Sequence, residues 1–145
     1  MKFTLETIIN KPRKEVWQAF DNIENLQKWQ PTLIKHELLD GTPGQPDAVS
    51  KLTYAESGRE FSLTEKIVHC DEPNQLDSLY ENDFADNTIK NKFVEQSPDE
   101  TLWVTETEFT FKTFLMKIMG NALKKNYIKR TQRDMQRFKE MLEGV

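Results

Sequence analysis

One carboxylate in this chain stands where a carboxylate is costly. In the segment from Phe61 to Ile67, the side chains Phe61, Leu63, Glu65 and Ile67 share one face of an alternating pattern, and Ser62, Thr64 and Lys66 share the other. An apolar neighbourhood raises a carboxyl pKa toward the range in which it exchanges protons near neutrality. Glu65 is therefore a candidate general acid or base, or the group that orients a polar part of a ligand. His36, which alternates with Ile34 and Leu38, is the second candidate, because imidazole titrates near neutral pH. Tyr54, Tyr80, Asn91, Thr105 and Thr107 offer hydrogen bonds to a ligand carbonyl or hydroxyl; the alternative is that they satisfy one another or bind water. Cys70 ends a strand-like stretch with no base beside it, which argues against a nucleophile, and His69 reads as structural.

Much other chemistry is excluded. There is no Gly-rich phosphate loop, no His-Glu-x-x-His pattern and no nucleophile elbow, so no cofactor is expected. One cysteine and two histidines cannot build a cysteine- or histidine-rich metal site. A chelator is expected to leave the melting temperature unchanged; a large drop would contradict that residue count.

The elements that must hold these groups follow from periodicity. Lys2 to Ile9 alternates as a half-buried strand. Asn10 and Pro12 open a helix, with Asn10 as the capping amide and Pro12 preset for the first turn. Asp21 followed by Glu24 resembles a capping box and predicts a second short helix, ended by Pro31. Alternation returns from Leu33 to Leu39. After the Gly41–Pro46 loop come strands at Val49–Ser57, Glu60–His69, Gln75–Asn82, Thr88–Glu95 and Thr101–Phe111. The last third is helical. Leu115, Ile118, Met119 and Ala122 form one stripe; Leu123, Tyr127, Thr131, Met135, Phe138 and Leu142 form another. The stripes point more than a right angle apart, which predicts a break near Gly120-Asn121.

Strands in succession with short turns pair antiparallel, and a sheet with one apolar face needs a cover. The fold class expected is α+β: a curved antiparallel seven-stranded sheet wrapped around a long C-terminal helix, with two short helices between strands 1 and 2. At 145 residues this is one domain, 1–145.

Charge and hydropathy narrow the partners. The net charge of −4 is uneven: Lys112 to Val145 holds nine basic and three acidic residues, a local +6. That excess reads as a solvated helix face, and no aromatics interleave with it as a nucleic-acid groove requires, so no nucleic-acid partner is expected. No apolar run approaches the roughly 20 residues that span a bilayer, and Glu6 falls where a signal peptide would be apolar. The expected location is cytoplasmic, and the expected state a monomer or weak dimer.

The order of elements, with Ile9-Asn-Lys-Pro-Arg-Lys-Glu-Val-Trp17, Trp29-Gln-Pro31 and Leu142-Glu143, resembles the START-like (SRPBCC) superfamily, and within it the polyketide cyclase/dehydrase and lipid-transport type. The resemblance spans nearly the whole chain. It implies a helix-grip fold with a cavity between sheet and long helix, in which members bind lipids, hormones, aromatic polyketides or other apolar molecules. Some members are enzymes, and a related branch activates a chaperone ATPase.

Strand alternation then gives a cavity lining. It comprises Ile34, His36, Leu38, Leu52, Tyr54, Phe61, Leu63, Glu65 and Ile67, then Ser78, Tyr80, Ile89, Asn91 and Phe93, then Trp103, Thr105, Thr107 and Phe109, and from the helix Leu123, Tyr127 and Thr131. Trp17 and Trp29 are assigned to packing between the short helices and the sheet. Three functions remain open: binding of an apolar small molecule; a cyclase- or dehydratase-type enzyme using Glu65 or His36; and a protein-interaction module related to chaperone activators.

Overall fold

The computed structural model describes residues 1–144. The elements are β1 Lys2–Ile9, α1 Arg13–Phe20, α2 Ile23–Trp29, β2 Leu33–Asp40, β3 Val49–Glu56, β4 Arg59–Asp71, β5 Gln75–Glu81, β6 Ala85–Ser97, β7 Glu100–Phe111, α3 Phe114–Ile118 and α4 Gly120–Glu143. The sheet runs β1-β7-β6-β5-β4-β3-β2, every neighbouring pair antiparallel. Consecutive strands β2 to β7 are neighbours because short turns allow nothing else; β1 closes onto β7. β1 and β2 are thus opposite edges of the sheet, and α1 and α2 must bridge them. α4 lies across the concave face with Met135 and Phe138 buried. This is the helix-grip arrangement.

Burial concentrates at the end beneath α1 and α2. Trp17 meets Phe93 edge to face at 5.8 Å, and Phe20 meets Phe93 at 5.1 Å and Trp103 at 5.7 Å. Trp29 stands against Trp103 at 5.8 Å, and Phe138 of α4 reaches Trp103 at 5.1 Å. Edge-to-face geometry of this kind is favoured by the ring quadrupoles. Trp17 packs as expected from the sequence.

Local details depart from the expectations. Asn10 does not cap α1: Pro12 is the N-cap residue, with no side-chain cap, and Asn10 donates to Glu143 at 3.0 Å instead. The α2 cap is Asn22, whose side chain accepts from the Glu24 N–H at 3.0 Å, so Asp21 is freed for another place. The break in the C-terminal helix falls at Met119, as expected, but the stripe before it faces water. Leu115, Ile118 and Met119 are exposed, because β7 hands over to α3 beyond the edge of the cup.

The loop from β2 to β3 turns on Gly41. Its φ is +82°, and a Cβ there would sit 2.9 Å from the Ala48 Cα. Left-handed backbone disfavours any other residue, and the obstructing atom is main chain, which cannot swing aside. Gly41→Ala is expected to lower stability by about 1 kcal/mol, read as a shift in the urea midpoint. An unchanged midpoint would show that the loop relaxes freely.

Candidate functional site

Small side chains occupy inward positions on three strands: Ser50 on β3, Ser78 on β5 and Thr105 on β7, all buried. Side chains this short do not reach the helix that covers them. A cavity of about 180 Å³ opens in the space they leave between the sheet, α2 and α4. One water needs about 10–15 Å³ of such space, so this is a compartment and not a packing defect. Phe20, Leu26, Trp29, Phe61, Ile67 and Met135 supply apolar wall. Ile23, Leu38 and Pro43 line the cavity and are also exposed, which marks a mouth between the start of α2 and the β2–β3 loop. At that mouth Gly44 runs close to Asp21: a Cβ on Gly44 would stand 2.9 Å from Asp21 Oδ1.

Four charged side chains and several polar ones converge on this space. Glu65 lies opposite Tyr80 in the β4–β5 pairing. It is half-buried by surface only because the cavity reaches it; protein encloses it on its other sides. Burial pushes its pKa up, against a hydrogen bond from the Tyr80 hydroxyl and the nearby His36, which pull it down. Burial and the Glu65 charge in turn push the Tyr80 phenol well up, so Tyr80 stays a donor. Tyr54 donates to Gln30 Oε1 at 3.1 Å and stacks on Phe61 at 5.4 Å, and burial raises its pKa too.

The α4 wall carries Arg130 and Asp134. Arg130 Nη1 is 2.8 Å from Glu56 Oε1, and its guanidinium lies 4.4 Å over the Tyr127 ring. Asp134 Oδ1 accepts from Arg137 at 2.9 Å. Burial still dominates and lifts the Asp134 pKa to about 6, although Arg130 and Arg137 pull it down. At the mouth, burial and the charge of Glu72 raise the pKa of Asp21. Carboxyls shifted upward in a partly dry cavity can act as proton donors or acceptors near neutral pH, or can take a counter-charge. Among the described residues no cluster of three His, Cys, Asp or Glu side chains is arranged to hold a metal ion.

The structure brings His36, Tyr54, Phe61, Leu63 and Glu65 to the cavity, with Ser78, Tyr80, Asn91, Thr105 and Tyr127. Leu38, Ile67, Ile89, Trp103 and Thr131 join them. The other positions expected there lie elsewhere. The β2–β3 register shifts between Leu33 and Lys35, so Leu33 turns in and Ile34 turns out, 45% exposed. Phe93 faces α1 and belongs to the aromatic core. Thr107 is buried beyond the cavity's end, and Phe109 packs between Phe3 at 6.4 Å and Tyr127 at 4.5 Å. Leu123 sits one turn before Tyr127, short of the space. Leu52 is buried but does not reach the cavity. Asn91 is partly committed, since its Oδ1 accepts from Trp103 Nε1 at 3.0 Å.

Sequence reasoning missed Arg130 and Asp134, because charged helix positions were assigned to solvent. It also missed the contribution of α1 and α2, namely Phe20, Asp21, Ile23, Leu26 and Gln30. Trp29 both packs and lines the cavity. Arg130 and Asp134 are each three residues past a stripe position, Tyr127 and Thr131, a spacing that does not by itself tell an enclosed charge from a solvated one.

A seven-stranded sheet gripping a long helix around a cavity with an open mouth defines a class of ligand-cavity domains. The chain belongs to the polyketide cyclase/dehydrase and lipid transport family, whose sequence pattern matches residues 9–136. No curated protein sequence matches it. Among solved structures it is similar to the Zhui aromatase/cyclase from Streptomyces sp. R1128, with TM-score 0.84 and 12% identity, over 99% of this chain and 93% of that one. It is also similar to TTHA0849 from Thermus thermophilus, with TM-score 0.80 and 14% identity, over 97% and 95%. Ara h 8.0201 superposes with TM-score 0.77 at 19% identity, over 100% and 99%. At these identities the likeness is one of fold. No helix of the described residues is long and apolar enough to cross a membrane.

Proposed function

We propose that this protein binds an apolar small molecule, lipid-like, aromatic or polyketide-like, in the cavity between sheet and α4. The observation that carries the reading is the compartment itself: about 180 Å³, walled by aromatic and aliphatic side chains, with polar groups that converge on it and a mouth. Membership of a family that includes lipid transport supports it.

The test is binding of the neutral dye N-phenyl-1-naphthylamine. Wild type is expected to bind the dye with enhanced fluorescence. Ser78→Phe, which places a ring where a buried serine leaves room, is expected to lose at least about tenfold in dye affinity while keeping a cooperative thermal transition. Equal dye binding by both proteins would show that the dye sits outside the cavity and would remove the reading.

A second reading is favoured by the upward-shifted carboxyls: acid–base chemistry of the cyclase or dehydratase kind, with Glu65 beside Tyr80 and His36. The Zhui aromatase/cyclase shares the fold. Turnover of a family-type poly-β-ketone that is lost in Glu65→Gln would support this reading. Turnover unchanged in both Glu65→Gln and His36→Ala would end it.

A further inference from the structure

We infer that the molecule this cavity accepts carries a basic nitrogen on its apolar body, and that Asp134 and Glu65 receive that nitrogen. The inference rests on the reading that the cavity binds an apolar small molecule, and it names that molecule's chemical class.

The lining is electrically lopsided. Asp21, Glu65 and Asp134 face the space, against one cation, Arg130. That cation is already committed. Its guanidinium is paired with Glu56 at 2.8 Å, a residue outside the lining, and is stacked on Tyr127. Glu65 has no lysine or arginine within ion-pairing distance among the described residues; its neighbours are the Tyr80 hydroxyl and the His36 imidazole. Asp134 engages Arg137 through Oδ1 alone. Glu65 is thus enclosed with no full cation beside it, and Asp134 keeps Oδ2 outside its ion pair; a cation that enters with the ligand relieves the excess of negative charge.

The other ligand charges fit poorly. An anionic head group would share Arg130 with Glu56 and then face the carboxylates. A neutral one leaves them uncompensated. The apolar wall agrees with a cationic guest, since the aromatic residues Trp29, Tyr54, Trp103 and Tyr127 line the space, and Tyr127 already holds one cation, Arg130, over its ring. At the mouth Asp21 adds a further negative group on the way in.

Three probes with one apolar body separate the possibilities: 4-phenylbutylamine, 4-phenylbutan-1-ol and 4-phenylbutanoate. Each competes with N-phenyl-1-naphthylamine at pH 7.5 against wild type and against the Glu65→Gln/Asp134→Asn double variant. Wild type is expected to prefer the amine over the alcohol by about tenfold, the usual scale for a charged hydrogen bond, with the carboxylate weakest. The double variant is expected to lose most of the amine preference. A purely structural role for the two acids would move all three affinities together, so the amine-to-alcohol ratio is the readout. Alcohol binding with no amine preference, a preference for the carboxylate, or a preference that survives in the double variant overturns this inference and leaves the binding reading standing. Failure of all three probes and of the dye overturns both.

Discussion

Phe138→Ala is expected to lower the unfolding free energy by about 3–5 kcal/mol. Phe138 is fully buried. Its ring is met by Trp103 at 5.1 Å, Trp29 at 5.4 Å and Phe20 at 6.1 Å. It is therefore the point where α4, α2, α1 and β7 come together. Loss of the ring removes its transfer free energy and leaves a void among three aromatics that are each held by another element, so collapse is limited. Urea denaturation of the variant measures the effect. A change below about 1 kcal/mol, the level of surface substitutions, would place Phe138 outside the core and α4 in another rotation. Phe138→Leu should recover a large part of the loss, because it restores volume though not ring geometry.

Asp134→Asn is expected to do the opposite and stabilise the protein at pH 7.5 by about 1–2 kcal/mol. The folded-state carboxyl titrates at about 6, against 3.8 for an ordinary aspartate, with burial as the main cause. A gap of that size corresponds to at most about 3 kcal/mol, and partial exposure to solvent reduces it. The folded state therefore holds a proton that the unfolded state gives up more readily. Between about pH 4 and 6 the wild type loses stability as pH rises, because the folded protein binds more protons there. The asparagine variant lacks this contribution, while those of Glu65 and Asp21, also shifted up, are common to both proteins. Its advantage should be full above about pH 6 and absent below about pH 4. Urea midpoints of the two proteins across that range test this. An asparagine variant no more stable at pH 7.5, or an advantage independent of pH, would show that Asp134 is adequately solvated or paired. A carboxyl kept at the expense of stability is the usual mark of a group retained for binding or chemistry.

The fold was legible because each element repeats its signal. β1 and β7 alternate over their full lengths, and the Tyr127-Thr131-Met135-Phe138 stripe holds its spacing through α4. The site was legible where it is built from strands in regular register, as at Glu65, Ser78 and Thr105. It was not legible at Ile34, where a single register shift on β2 reverses the faces, and periodicity carries no mark of a bulge. Nor was it legible at Arg130 and Asp134. A charged residue on a helix is ordinarily solvated, and only the curvature of the sheet decides how wide a strip of α4 the cup encloses. The rim from α1 and α2 was missed for a third reason. Asp21 looks like a cap in sequence, but Asn22 takes that role one residue later and turns Asp21 toward the mouth.

The pairing of β1 with β7 has a bearing on how the chain acquires its shape. Lys2 through Ile9 take their backbone partners from Thr101 through Glu108, and among the described residues the only strand beside β1 is β7. The seam continues past the sheet: Lys139 donates to the Ile8 carbonyl, and Asn10 to Glu143. β1 thus waits until Thr101–Glu108 have been synthesised before it can be zipped in. Such long sequence separation makes for slow folding, and unpaired apolar edges stay available to other chains in the meantime. Nascent chains stalled before Thr101 should hold β1 unprotected against hydrogen exchange while the β3–β4 hairpin already resists it.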